Sequence, residues 1–365
     1  MKRDLTIHIA MGADGRYAIP LSVAMASLAR SASREYSLVF HCMMWNISKD
    51  LQGRIVEIVS CQHPHVCVEW IELQESMFEG MPEWNHSRMA YSRLMLPELL
   101  PQLDHLIYSD CDVLWFRDVA ELWECRDDDV AIQAGRDTYD ESYLFDATYI
   151  KRKDSCEIPR DSYVCTGVML MNLKLLRRQQ FTERSFSYLR VHPDVAMVDQ
   201  TVINSCYSGK IKVLPDVWQT SSRFLTPCSQ DGFQVVVHLA NYFPLSKWCT
   251  GEIIDDMQYL WVRIACRLWH KNLATEMTTL FGANWRRRRV EFKLMTNSGL
   301  RLSLMVLAIL RRLLVRRVGM RKAFSFYKRN YVRIGKKIAD TIVNQYTVPV
   351  ATNANKIAVK VVESN

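Results

Sequence analysis

Strand patterns and helical patterns alternate along the first two thirds of the chain, and this alternation limits the possible folds more than any other feature. The helical patterns lie at residues 19–29, 51–60 and 88–100. The strand patterns lie at residues 5–11, 37–44, 66–71, 105–109, 130–133, 164–172 and 235–239. Such alternation predicts an α/β fold with a parallel, doubly wound sheet. Ligands of such sheets bind beyond the carboxyl ends of the strands.

Two aspartates, Asp110 and Asp112, follow directly on the strand predicted at 105–109, in the stretch LIYSDCDVLWF. Two carboxylates spaced in this way in an extended or turning segment can aim at a common point. They are hard oxygen ligands of the kind that Mg²⁺ or Mn²⁺ prefers. The same triplet also occurs at solvated turns, so the pair taken alone leaves both interpretations open.

Two further side chains near the end of the last predicted strand could take part in such a site. His238 follows three valines and is either a hydrogen-bonded structural residue or a metal ligand. As a ligand it would favour Mn²⁺ over Mg²⁺, because imidazole is softer than carboxylate. Lys247 is either a phosphate-binding ammonium group or an exposed, solubilising lysine.

Charge is distributed unevenly along the chain. Residues 286–337 contain 17 Lys or Arg and one acidic residue, a net charge of +16; the whole chain carries +8, so the remainder carries −8. The cations alternate with Leu, Val, Phe and Tyr at roughly helical spacing, which is typical of a helix that lies on an anionic membrane surface. A solvated basic helix packed on the body is the alternative. Nucleic-acid binding is disfavoured, because no nucleic-acid motif is present and the body is acidic.

The cysteines and the apolar runs bear on location. The eleven cysteines form no C-x-x-C pair and predict reduced thiols. The N-terminus lacks an apolar stretch long enough for a signal peptide. The most apolar run, at 302–310, is far shorter than the roughly 20 residues that span a bilayer. We therefore expect a cytoplasmic protein, peripheral on the inner face of the cytoplasmic membrane.

Six ordered segments between about residues 5 and 250 resemble glycosyltransferase family 8, which includes bacterial lipopolysaccharide glucosyl- and galactosyltransferases and glycogenin. They are ADGRYAIPLSVAMASL, RMAYSRLMLPELLPQLDHLIYSDCDVL, AIQAGRD, YVCTGVMLMNL, DQTVIN and VVHLANYFPLSKW. The family usually has Asn at Arg16, Asn at Cys165 and Gly at Asn241. Lys247 lies nine residues after His238, where the family spacing is six.

The resemblance implies a role for each matching position. Asp110, Asp112 and His238 would be the metal ligands. Asp199 and Gln200 would lie beside the donor sugar, and Asp137 would face the acceptor. The donor-binding residues would be Asp14 and Tyr17 at the uridine, Arg93 at the phosphate and sugar, and also Thr166, Gly167 and Lys247.

The implied protein is a metal-dependent hexosyltransferase that retains anomeric configuration. It would use Mn²⁺ or Mg²⁺ and UDP-glucose or UDP-galactose, with a glycan or glycolipid acceptor such as lipopolysaccharide core. The implied fold is a single Rossmann-like domain of the glycosyltransferase A type over residues 1–255, with a basic amphipathic helical region at 256–342 and a loose tail at 343–365. The alternatives are a degenerate nucleotide-sugar-binding or scaffold protein of this fold, and a transferase for a protein or another glycan.

Overall fold

A computed structural model describes most of the first 240 residues and parts of the remainder. The described residues are 5–81, 88–137, 162–193, 195, 197–221, 234–239, 256–271, 336–349 and 359–362. The chain divides into two compact units. The first comprises Met1–Thr220, Gln234–His238 and Pro349–Asn365, and the second comprises Ser221–Phe233 and Leu239–Val348. The functional boundaries at residues 255 and 342 stay predictions.

An α/β fold is confirmed for the first unit. Its strands are β1 Thr6–Asp14, β2 Ser37–Trp45, β3 Val66–Glu72, β4 His105–Ser109, β5 Val113–Trp115, β6 Ile132–Arg136, β7 Val164–Asn172, β8 Ile211–Leu214, β10 Val236–His238 and β11 Val359–Val362, with β9 Thr220–Ser221 at its boundary. Its helices are α1 Ala18–Ser31, α2 Lys49–Ser60, α3 Leu96–Leu99, α4 Val119–Trp123, α5 Leu173–Arg178, α6 Phe181–Val191 and α7 Val198–Cys206. Short 3₁₀ helices lie at Gly15–Tyr17, Glu75–Phe78, Met89–Met95 and Asp216–Trp218.

The central sheet is mostly parallel, but one of its inner strands is reversed. Eight strands lie in the order β11, β3, β2, β1, β4, β7, β6, β8. Strand β7 runs antiparallel to both of its neighbours, a reversal that the alternation of strand and helix patterns did not predict. All nine residues of β7 are buried. A strand covered on both faces has the same apolar pattern in either direction, so the sequence could not reveal the reversal.

The helical segment predicted at residues 88–100 is helical in the structure but consists of two parts. The structure has a 3₁₀ helix at Met89–Met95, followed by the four-residue helix α3. Pro97 lies in the first turn of α3. In a continuous α-helix Pro97 would have no N–H for the carbonyl of Arg93 and its ring would clash with it, so a new helix begins here instead.

A second, three-stranded sheet, in the order β5, β10, β9, positions His238. Strand β10 runs antiparallel to β5, and His238 is the register partner of Val113. Val113 is the next residue after Asp112 in the chain. Strand pairing therefore brings His238 beside the aspartates that separate β4 from β5, across 126 residues of sequence.

The second unit contains two described helices, α8 Asp256–Leu268 and α9 Lys336–Asn344. An ion pair between Arg263 and Asp340 joins them, and Nε of Arg267 donates to the backbone oxygen of Tyr346 at 2.8 Å.

Within the segment expected to be a loose tail, β11 pairs in parallel with β3 at the edge of the central sheet.

Most of the basic segment at 286–337 lies outside the described residues. No helix among those that the structure describes is long and apolar enough to cross a membrane. None of the eight cysteines within the described ranges forms a disulfide.

Candidate active site

Three side chains that could hold a metal ion converge at the carboxyl end of β4. One ligand atom from each of Asp110, Asp112 and His238 lies within 4.8 Å of the others. Nε2 of His238 is 3.2 Å from Oδ1 of Asp112 and 3.7 Å from Oδ2 of Asp110. Two carboxylates and one imidazole are a donor set that suits a divalent ion such as Mn²⁺. The structure thus brings together the three ligands expected from the resemblance.

Arg93 lies behind this cluster and binds two carboxylates at once. Its Nη2 is 2.7 Å from Oδ1 of Asp110, and its Nη1 is 3.0 Å from Oδ2 of Asp199. Nη1 also donates to the backbone oxygen of Thr166 at 3.0 Å, and Nε to that of Ala90 at 3.0 Å. The guanidinium is almost fully buried. Among the described residues, Nη2 has one hydrogen-bond acceptor, Oδ1 of Asp110, for its two N–H groups.

The charges in this buried site shift one another's pKa values. Burial raises the pKa of Asp199 to about 6, although Arg93 opposes that shift. Burial likewise raises the pKa of Asp110 in spite of Arg93. Burial would also raise the pKa of Asp112, but the charge and the hydrogen bond of His238 outweigh it and lower that pKa. Burial lowers the pKa of His238, but the charges and hydrogen bonds of Asp112 and Cys165 together outweigh burial and hold that pKa well above its usual value.

The other ring nitrogen of His238 faces away from the aspartates. Nδ1 lies 3.3 Å from Sγ of Cys165 and 3.0 Å from Nε2 of Gln219. Gly167 lies against the ring, and a Cβ at that position would overlap Cε1 and Nδ1 of His238. Gln219 is a residue of this site that sequence reasoning missed. Its position between a 3₁₀ helix and a two-residue strand carries no motif signal.

Thr166, Asp199, Gln200 and Asp137 form a hydrogen-bonded row beside Arg93. The hydroxyl of Thr166 donates to Oδ2 of Asp199 at 3.1 Å. The amide of Gln200 accepts from the backbone N–H of Thr166 at 3.2 Å and donates to Oδ2 of Asp137 at 3.1 Å. All four side chains are buried. The row joins the start of α7 to β7 and to the end of β6, so it holds the expected sugar-side residues rigidly.

Asp14 and Tyr17 lie at the carboxyl end of β1. The carboxylate of Asp14 accepts from the backbone N–H of Arg16 at 2.9 Å, and Nη2 of Arg16 lies 2.7 Å from it. Burial raises the pKa of Tyr17, and the charges of Asp112 and Asp14 raise it further, so Tyr17 lies near the metal-ligand cluster. Lys247, the remaining expected site residue, lies outside the described residues.

The chain is similar to known glycosyltransferases. Residues 8–236 match the family described as Glycosyl transferase family 8. General stress protein A of Bacillus subtilis is 27% identical over 225 residues, which cover 60% of this chain and 72% of that protein. The lipopolysaccharide 1,2-glucosyltransferase of Escherichia coli is 20% identical over 219 residues, which cover 58% of this chain and 61% of that enzyme.

A solved structure shares the fold. It is the galactosyltransferase LgtC in complex with donor and acceptor sugar analogs. LgtC superposes with a TM-score of 0.55 and is 23% identical, and the match covers 66% of this chain and 89% of that one. At this level of identity the likeness shows a common architecture.

Proposed function

Because the chain belongs to glycosyltransferase family 8, we propose that it moves a hexose, glucose or galactose, from a UDP-sugar to a cell-surface glycan such as lipopolysaccharide core, with retention of configuration. The observation that carries the proposal is the convergence of Asp110, Asp112 and His238 within 4.8 Å. The similarity to a lipopolysaccharide 1,2-glucosyltransferase supports this choice of acceptor.

The three converging side chains would hold the divalent ion, which we propose to be Mn²⁺ or Mg²⁺. Such an ion supplies a Lewis acid that stabilises the departing diphosphate. The remaining N–H of Arg93 would donate to the same developing negative charge. Tyr17 and Asp14 would position the uridine at the end of β1.

The hydrogen-bonded row bears on how configuration is retained. Double displacement needs a nucleophile on the face of the sugar opposite the leaving group. Both ends of the Gln200 amide are used in hydrogen bonds, and the carboxylate of Asp199 is bound by Arg93 and Thr166. We therefore favour front-face transfer, in which the acceptor hydroxyl attacks beside the leaving group and a diphosphate oxygen takes its proton. A covalent sugar trapped on Asp199 or Asp137, detected by mass spectrometry, would contradict this mechanism.

The direct test is release of UDP from a panel of UDP-sugars, with water or candidate acceptors, in the presence and absence of Mn²⁺. We expect metal-dependent release from UDP-glucose or UDP-galactose. Asp112→Asn should abolish it, because the variant loses one carboxylate ligand. Asp104→Asn is the matched control, since Asp104 is an exposed aspartate paired with Lys174. No release by the wild type with any donor or acceptor would favour a degenerate binding protein.

We further propose that residues 286–337 bind the anionic inner surface of the cytoplasmic membrane, where a lipid-linked acceptor would be presented. The net charge of +16 in this segment supports the proposal, with about 1 kcal/mol expected per cation near the surface. Flotation with vesicles containing anionic lipid should carry the protein upward. Replacing Arg286, Arg287, Arg288 and Arg289 by serine should weaken flotation. Equal flotation with neutral vesicles, or a shift of DNA or RNA in a gel, would contradict the proposal.

A further inference from the structure

The side chain of Gln219 lies against the face of His238 that points away from the aspartates. Gln219 is buried, and its Nε2 is 3.0 Å from Nδ1 of His238. The amide oxygen of Gln219 accepts no hydrogen bond from any residue within the described ranges. No bond to that oxygen therefore holds the amide in this orientation, and a half-turn about its last torsion exchanges the oxygen and the nitrogen.

The position of the hydrogen on a metal-binding His238 decides between the two orientations of the Gln219 amide. Its Nε2 faces Asp110 and Asp112, so Nε2 must present a lone pair if the imidazole is to bind a metal with them. A neutral imidazole carries one hydrogen, which must then be on Nδ1 and needs an acceptor. An amide nitrogen cannot accept, and the thiol of Cys165 at 3.3 Å is a weak acceptor. Of the two described groups within hydrogen-bond distance of Nδ1, the side chain of Gln219, with its carbonyl oxygen turned toward the ring, is the better acceptor.

The surrounding backbone holds Gln219 and His238 against each other. A Cβ on Gly135 would overlap Cβ of Gln219, so β6 approaches Gln219 closely only because residue 135 is glycine. A Cβ on Gly167 would overlap the ring of His238 in the same way. Strands β6 and β7 of the central sheet thus hold Gln219 and His238 in contact with each other.

We propose that Gln219 is a positioning residue: its carbonyl oxygen accepts the hydrogen on Nδ1 of His238 and so directs Nε2 toward the metal. The proposal rests on the metal site assigned above. Residues that hold a ligating histidine through its second nitrogen typically change metal affinity by about 10- to 100-fold when they are replaced.

Metal affinity gives the first test, measured as the Kd for Mn²⁺ by electron paramagnetic resonance on the full chain. Gln219→Leu should bind Mn²⁺ about 10- to 100-fold more weakly than the wild type. Gln219→Glu, whose carboxylate can only accept, should bind as tightly as the wild type or more tightly. Gln133→Leu is the matched control: Gln133 is also buried, its amide oxygen has no hydrogen-bond partner among the described residues, and its amide nitrogen donates to the backbone oxygen of Cys125. It should leave the Kd unchanged.

Two results would overturn the proposal: a Kd for Gln219→Leu equal to that of Gln133→Leu, or an equal loss in Gln219→Leu and Gln219→Glu. The second would mean that the amide N–H is the important group.

A second measurement, the position of the hydrogen on the His238 ring, can also be made without metal and without turnover. Nitrogen-15 NMR of the labelled wild type, with His238→Ala to assign the signal, should show hydrogen on Nδ1 both without metal and with Mg²⁺. An unprotonated Nδ1 in either state would overturn the proposal, even if Gln219→Leu failed to fold. Failure of the wild type to bind Mn²⁺ would count against the proposed function, and the metal-free spectrum would still show whether Nδ1 carries the hydrogen that Gln219 is proposed to accept.

Discussion

At the scale of single residues, the site depends on close contacts that leave little room for change. Gly167 is the clearest case, because a methyl group there would occupy the position of the His238 ring. We expect Gly167→Ala to displace His238 and to weaken Mn²⁺ binding by at least about tenfold, comparable to the loss of a supporting residue. Titration with Mn²⁺ checks this. Gly53→Ala, at a position with open space around it, should bind as the wild type does.

Asp199 gives a prediction about pH. Its pKa is raised to about 6 in the folded protein, against about 4 in the unfolded chain. Between these values the folded state binds the proton more strongly, so the contribution of Asp199 to the free energy of unfolding falls as the pH rises. We therefore subtract the free energy of unfolding of Asp199→Asn from that of the wild type. This difference should fall by about 2–3 kcal/mol from pH 4 to pH 7.

Denaturant unfolding at a series of pH values measures the difference. A difference that stays flat or rises with pH would show that the pKa of Asp199 is not raised in the folded protein. The charge would then be stabilised by Arg93 and Thr166 more strongly than burial opposes it.

At the scale of elements, Asn204 of α7 binds both backbone groups of a residue of β7. Asn204 accepts from the backbone N–H of Val164 at 2.8 Å and donates to its carbonyl oxygen at 2.9 Å. Asn204→Leu would leave both backbone groups buried without a partner, at about 1–3 kcal/mol each. We expect the free energy of unfolding to fall by about 2–5 kcal/mol, measured with urea.

Ser205, the next residue of α7, provides the matched control. Its hydroxyl has no hydrogen-bond partner within the part of the chain that the structure describes. Ser205→Ala should therefore leave the stability nearly unchanged. If Asn204→Leu also left the free energy of unfolding nearly unchanged, α7 would be held by apolar packing instead. The hydrogen-bonded row that contains Asp199 and Gln200 would then be less rigid than its contacts indicate.

At the scale of the whole molecule, ligand binding should stabilise the folded protein. A ligand present at 100 times its Kd adds about 2.7 kcal/mol to the free energy of unfolding. Mn²⁺ together with UDP should therefore raise the Tm of the wild type, and Mn²⁺ alone should raise it less. Asp112→Asn should lose most of both shifts, whereas Asp104→Asn should keep them. Thermal unfolding followed by circular dichroism measures the shifts, and equal shifts in the two variants would place the metal elsewhere.

The sequence by itself determined the general architecture and the three metal-ligand candidates. Alternating patterns predicted most strands to within a few residues, because a buried strand and an amphipathic helix have different periods. Asp110 and Asp112 could be recognised as candidate ligands because they directly follow a buried strand. The resemblance to family 8, carried by six ordered segments, added His238 and most of the surrounding side chains.

Only the tertiary structure decided the direction of β7 and the contact of Gln219 with His238. Each depends on which surfaces meet, and local periodicity carries no information about partners far away in the chain. Gln219 and His238 are 19 residues apart, and their contact exists because β6 and β7 press them together where glycine leaves room. A sequence pattern indicates which residues prefer to be buried. Which residues they contact in the folded protein depends on the packing of the whole sheet.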